Sequence, residues 1–374
     1  MDKKIQVLKP FYRVEECLEE IKECLDIGWT GMGFKTLDLE TKWKEYTGLS
    51  HAHFLNSATS GLHLAFKLLK DKYNWKNGDE IITTPFTFVS TNHAILYENL
   101  KPVFADIDDT LNLNPISVVE KITPKTKAII FVGIGGSADN LLEIIQIAKK
   151  NNLKIILDAA HMAGTTIDGK HIGFDVDVTV FSFQTVKNLP TADSGMICFA
   201  EEDLDKKCRI DSWLGINKDT FSRSNEGSYK WYYDVSEVGY KYHGNSIMAA
   251  LGLVGLKYLE QDNEKRRKIV NQYIALLNNK VTYIEHNNCS SSRHLFQIIV
   301  NNREEVIEHL QSCNIYPGVH YVDNTFYKPY EQESISCPKS RYYSNHVLSL
   351  PLHLSLEDND IKYIVEKILE IAKC

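Results

Sequence analysis

Residues 153–200 run LKIILDAAHMAGTTIDGKHIGFDVDVTVFSFQTVKNLPTADSGMICFA. An apolar, β-branched burst (Ile155, Ile156, Leu157) ends in a carboxylate, Asp158. A second burst (Val178, Thr179, Val180, Phe181) leads through Ser182 and Phe183 to a short polar loop carrying Lys187. Continuous apolar runs of this length suit strands buried on both faces, as in parallel sheets. An acid ending one such strand and a lysine just past the next converge on one edge of the sheet, where open α/β sheets hold ligands. A lysine beside a carboxylate is most often an ion pair; the rest of the chain decides whether this one does chemistry.

A lysine in such a pocket can form a Schiff base with a carbonyl. An aspartate facing a pyridine nitrogen keeps that ring protonated and able to draw in electrons, so the pair supplies what a pyridoxal phosphate (PLP) enzyme needs most. The order Asp158-Ala159-Ala160-His161, then Ser182-Phe183-Gln184-Thr185-Val186-Lys187-Asn188-Leu189, closely resembles the D-A-A-[QH] and S-F-x-x-x-K-x-L pattern of the DegT/DnrJ/EryC1/StrS sugar aminotransferases. That resemblance implies PLP-dependent fold type I (aspartate aminotransferase-like): a large domain with a mixed, mainly parallel sheet, and a smaller C-terminal α/β domain. It further implies Lys187 as the Schiff-base lysine, Asp158 on the pyridinium, His161 beside the phenolic oxygen and Ser182 on the phosphate.

Outward from there, Asn56-Ser57-Ala58-Thr59-Ser60-Gly61 lies between a short strand (53–55) and a helix (62–69). Small and hydroxyl residues at a helix N-terminus make a phosphate seat, although Ser and Thr are also ordinary caps. The resemblance assigns the phosphate to Ala58 and Thr59. A strand at 80–83 precedes Phe86 and Phe88, either of which could be core or a stacking platform; the family pattern selects Phe88. The turn Gly133-Ile134-Gly135-Gly136 lacks a full dinucleotide fingerprint and reads as structural.

Residues 13–27 have helical apolar spacing, and Gly28-Trp29-Thr30-Gly31-Met32-Gly33 breaks it. This is a helix stop and loop, or, by resemblance, a turn at the substrate entrance that makes Thr30 and Gly33 substrate contacts. Trp213 to Asp234 reads as a surface excursion. Val238 to Leu253 resembles a family segment that crosses a dimer interface to the partner's cofactor phosphate, with Lys241 and His243 as the cations suited to it. From about Leu256 the chain reads as a helix to Leu277, a strand at 294–300, a helix at 303–313 and a terminal helix. Gly318-Val319-His320-Tyr321 and Ser349-Leu350-Pro351-Leu352-His353 match two further family signatures; His320 is expected near substrate and His353 in packing. The domain division is expected at 1–250 and 251–374.

The chain has 374 residues, 43% of them apolar, and a net charge of -7, which argues against binding nucleic acid through phosphate contacts. There is no membrane-spanning run and no apolar signal core. The eight cysteines are scattered without C-x-x-C, so they read as reduced thiols rather than disulfides or a metal site. A cytoplasmic protein without metal is expected. The expected reaction moves an amine from L-glutamate to a nucleotide-linked keto-deoxysugar, C4 being favoured over C3, in amino-sugar biosynthesis for a surface polysaccharide such as an O-antigen. A homodimer is expected. The rival readings are a PLP dehydratase on the same fold, whose lysine is replaced by histidine, and a non-catalytic regulatory protein that kept the fold.

Overall fold

The computed structural model describes residues 3–217, 233–330 and 336–373. The strands are β1 Ile5–Gln6, β2 His51–Leu55, β3 Glu80–Thr83, β4 Lys101–Phe104, β5 Thr126–Val132, β6 Lys154–Asp158, β7 Thr166–Ile167, β8 Lys170–His171, β9 Val178–Ser182, β10 Gly195–Phe199, β11 Thr282–Tyr283, β12 Phe296–Ile299, β13 Ile315–Tyr316 and β14 Val347–Leu350. The helices used below are α1 Val14–Ile27, α2 Phe34–Thr47, α3 Ala58–Tyr73, α4 Val89–Tyr97, α5 Pro115–Glu120, α6 Leu141–Lys150, α7 Glu202–Asp211 and α8 Ser246–Leu277.

Seven strands form the main sheet in the order β2-β10-β9-β6-β5-β3-β4. All neighbours run parallel except β10, which is antiparallel to both β2 and β9. This is the mixed, mainly parallel sheet expected of fold type I. Because strand side chains alternate faces, Ile155, Leu157 and Phe181 feed one apolar layer, while Ile156, Val178 and Val180 feed the other. Both faces are covered, so β6 and β9 read as largely apolar runs rather than as alternating ones. The buried sheet thereby pins the C-terminal ends of β6 and β9, and with them Asp158 and the loop after Ser182.

Helix α8 spans 32 residues, about 48 Å at 1.5 Å per residue. Its first half sends Ala249, Leu253 and Leu259 into the main core, and its second half sends Ile269, Val270, Tyr273 and Leu277 into a separate core. That second core surrounds the antiparallel sheet β11-β12-β14. Residues 250 and 251 therefore lie inside one continuous helix, capped by Asn245 Oδ1 on the Met248 N–H at 3.0 Å. The chain's start also belongs to the second core, since Ile5 packs there and β1 pairs with β13. Among the described residues no helix is long and apolar enough to cross a membrane. Most of the expected 213–234 excursion, residues 218–232, lies outside the described residues.

Candidate active site

A cavity of about 440 Å³ opens at the C-terminal ends of β6 and β9. Ala58, Thr59, Phe88, Asp158, His161, Ser182, Lys187 and His320 all line it. Eight of the residues singled out from sequence, drawn from five chain segments, thus face one space.

The loop after β9 carries Lys187. It closes on itself through Lys187 N–H to the Gln184 carbonyl at 2.8 Å and Thr191 N–H to the Phe183 carbonyl at 2.8 Å. Burial, partly opposed by Asp158, pulls the Lys187 amine down to about 8. Its Nζ has no hydrogen bond or salt bridge among the described residues. Asp158, at the end of β6, is held by the Thr91 hydroxyl on Oδ2 at 2.8 Å and the Ala160 N–H on Oδ1 at 3.2 Å. Burial pushes its carboxyl up, against those two bonds and the Lys187 charge. A half-buried amine with no bonded partner and a buried acid with no cation bonded to it are what a ligand carrying a carbonyl and a basic ring nitrogen would complete.

The phosphate seat is the start of α3. Ser57 caps this 16-residue helix by accepting the Ser60 N–H at 3.1 Å, and Ala58 and Thr59 line the cavity in the first turn. The helix dipole favours an anion there. Gly195 makes the seat tight, because a Cβ on it would sit 2.7 Å from the Ala58 nitrogen. Phe88, at the N-terminus of α4, is 58% exposed at the mouth, its ring 6.2 Å from that of Tyr321.

His161 accepts the Gly135 N–H on Nδ1 at 3.2 Å. Its ring is neutral, since burial lowers it well below the usual range. The hydrogen therefore sits on Nε2 and is donated to Tyr321 Oη at 3.0 Å. That leaves the Tyr321 hydroxyl hydrogen free to point into the cavity. His320 is held by Ser349 Oγ at 2.9 Å on Nδ1, and burial lowers it to about 4. Tyr321, His294, Thr91 and Asn188 were missed as site residues. Tyr321 adjoins His320 in a signature that sequence had already flagged; the other three carry no periodic signal.

Four expected site residues stand outside this cavity. Thr30 and Gly31 give their carbonyls to the Ser246 N–H at 3.1 and 2.9 Å, packing that turn on the start of α8. Gly33 precedes α2 and borders a separate cavity of about 360 Å³ with Thr36, His53 and Arg209. Lys241 lies with Nζ 3.3 Å from the centre of the Trp213 ring, and His243 Nδ1 donates to the Gly244 carbonyl at 2.7 Å. Elsewhere, Asp71, Asp211 and Glu237 bring carboxylate oxygens within 4.8 Å of one another. Lys67 and Lys207 pair with that cluster, and it is not part of the cavity.

A mainly parallel sheet whose edge sets a half-buried lysine against a buried acid and a capped helix start defines a PLP-dependent transferase of fold type I. The profile of the DegT/DnrJ/EryC1/StrS aminotransferase family matches residues 12–369, so the chain belongs to that family and is a sugar aminotransferase with PLP as its cofactor. It is similar to the Bacillus subtilis spore coat polysaccharide biosynthesis protein SpsC, with 34% identity over 96% of this chain and 95% of the relative. Among solved structures it is similar to the PLP form of the putative sugar aminotransferase Spr1654 from Streptococcus pneumoniae (29% identity, TM-score 0.87, covering 97% of each chain). It is likewise similar to DesI solved in the presence of its TDP-sugar product (25% identity, TM-score 0.87, covering 98% of this chain and 93% of DesI).

Proposed function

We propose that this protein transfers the amino group of L-glutamate to the ketone of a nucleotide-linked deoxysugar, at C4 rather than C3, supplying an amino sugar for a surface polysaccharide. The observation that carries this reading is the convergence of Lys187, Asp158 and the start of α3 on one cavity. The naming of SpsC for polysaccharide biosynthesis and the capture of DesI with a TDP-sugar support the substrate class. The C4 preference rests on the Lys241-Tyr242 pair, which resembles C4-acting members of the family.

Bound PLP supplies an electron sink for the charge left when a proton leaves the carbon bearing the amine. Every other part is this chain's own. Asp158, buried and bonded to Thr91 and Ala160, would hold a proton on the cofactor's ring nitrogen. Ala58 and Thr59 would hold the phosphate with backbone N–H groups, and Ser182 would add a hydroxyl. Phe88 lines the same cavity and would cover the cofactor ring. Lys187 is the residue that would hold the cofactor's aldehyde, and its amine would move a proton between carbons of the bound substrate. An amine lowered to about 8 is partly neutral at physiological pH, as a general base must be. Leu8, Val132 and Val186 line the cavity with apolar surface and thin out water there.

A homodimer would give the four outlying residues their task. Lys241 and His243 would reach the partner's phosphate, and Thr30, tied to the start of α8, and Gly33, at the start of α2, would approach the partner's substrate. The seven described cysteines are free, which suits the cytoplasm, and we retain the expected division of the chain at 250/251. The test is a panel of nucleotide keto-sugars offered with glutamate, the position of the new amine being read by NMR. Amination of none of them by protein that does accept glutamate's amine would refute the substrate assignment.

A further inference from the structure

Asn188 directly follows Lys187, and its amide is committed on every side. Nδ2 donates to the Ser292 carbonyl at 2.8 Å and to Asn263 Oδ1 at 2.8 Å. Asn263 in turn donates Nδ2 to the Ala163 carbonyl at 2.9 Å. Backbone carbonyls only accept, so the two carbonyls fix the orientation of both amides. Asn188 Oδ1 is left as an acceptor, and its partner is His294 Nδ1 at 3.0 Å.

His294 must then carry its hydrogen on Nδ1. Burial keeps the ring neutral, well below the usual histidine range, and a neutral imidazole has one N–H. Nε2 is therefore a bare lone pair. The residue is 2% exposed, lines the Lys187 cavity, and Nε2 has no hydrogen-bond partner among the described residues. The neighbouring His161 ring, its centroid 4.3 Å away, is locked in the opposite tautomer. Two adjacent imidazoles thus have opposite hydrogen-bond polarity, each set by the backbone.

A bare acceptor in a closed cavity discriminates between the two substrates of a transaminase. Glutamate brings carboxylates, which are acceptors only, and its single donor is the ammonium that reacts. A sugar brings hydroxyls, which donate. We propose that His294 Nε2 accepts a hydrogen bond from a hydroxyl of the keto-sugar, making His294 a specificity-determining residue for the second half-reaction, with Asn188 setting its tautomer. This rests on the assignment of a keto-sugar as amine acceptor.

The test is His294→Asn, whose Nδ2 falls near the position of Nδ1 and keeps the bond to Asn188 while leaving nothing at Nε2. The melting temperature should stay within about 4 °C of wild type, and the rate of the glutamate half-reaction, followed as bleaching of the yellow protein, should change less than twofold. KM for the sugar should rise roughly three- to tenfold, the worth of one hydrogen bond, with kcat changing less. His294→Gln, whose Oε1 reaches the Nε2 position, should recover part of that loss. Imidazole 15N NMR of the PLP-loaded wild type should show Nδ1 protonated and the Nε2 resonance moving when the aminated nucleotide sugar is added. An unchanged sugar KM in His294→Asn, or a ring protonated on Nε2, would overturn the proposal while leaving the transaminase assignment intact. A wild type that takes glutamate's amine but passes it to no keto-sugar would overturn the substrate assignment and this proposal together.

Discussion

Replacing Asp158 by asparagine should separate stability from activity. The Ala160 N–H on Oδ1 forces the asparagine carbonyl oxygen to that position. The amide nitrogen then faces Thr91 Oγ1, whose own hydrogen can turn to Thr87 Oγ1 at 3.0 Å. Both partners survive, so the variant should fold. Burial holds the Asp158 carboxyl above its ordinary range. A folded-state pKa above the unfolded one means the charged form costs stability at neutral pH, and that cost disappears as pH falls through the folded value. Without PLP, Asp158→Asn should therefore melt at the same temperature as wild type or higher, with any difference shrinking in acid. Activity should move the other way. The ring nitrogen loses its anionic partner, and breaking a buried pair from one side costs about 3–5 kcal/mol. At about 1.4 kcal/mol per decade, kcat/KM should fall by roughly two to three and a half orders of magnitude. Thermal melts of the PLP-free protein and the rate of bleaching by glutamate measure the two effects. A kcat/KM within tenfold of wild type, or a melting temperature several degrees lower, would refute the reasoning.

Lys187→Ala should leave the fold intact, since it removes a half-buried amine with no bonded partner, and abolish transamination; retained turnover would remove the lysine from the mechanism. Because burial lowers that amine to about 8, the rate of PLP capture by the PLP-free protein should rise with pH and level off near 8; a profile still climbing toward the ordinary lysine value would show a solvated amine instead. Gly195→Ala places a Cβ 2.7 Å from the Ala58 nitrogen and 2.8 Å from the Phe181 carbonyl oxygen; it should cost about 1–3 kcal/mol in denaturant melts and weaken PLP retention. Glu40 is buried against His53, Arg209 and the Phe54 N–H, and its pKa is lowered to about 2 from 4.5 despite burial. It should contribute about 3 kcal/mol above pH 4.5, lost as pH falls toward 2, so Glu40→Gln should flatten that part of the acid unfolding curve.

The ends of β6 and β9 were legible because a strand buried on both faces is largely apolar, so Asp158 stands out as the acid that ends one run and Ser182 as the hydroxyl that ends the other. Strand direction was not legible: the run Gly195–Phe199 looks like its parallel neighbours, and only its pairing with β2 and β9 shows that it turns back. Two helices began earlier than expected. The hydroxyl-rich start of α3 resembles a loop until Ser57 is seen capping it. In α8, Gly252 and Gly255 blur the helical pattern, although their lack of side chains lets Leu39 and Leu189 approach closely. The polar chain linking Ala163, Asn263, Asn188, Ser292 and His294 joins segments over a hundred residues apart, and no local pattern announces such contacts. The turn from Gly28 to Gly33 was recognised as a turn, but its anchoring on Ser246 needed the fold.

The central claim is a covalent bond between PLP and one amine of this chain. Borohydride reduction of the yellow protein, followed by digestion and peptide mass mapping, should place a single pyridoxyl group on Lys187. A pyridoxyl group on any other lysine, or on none, would contradict the account.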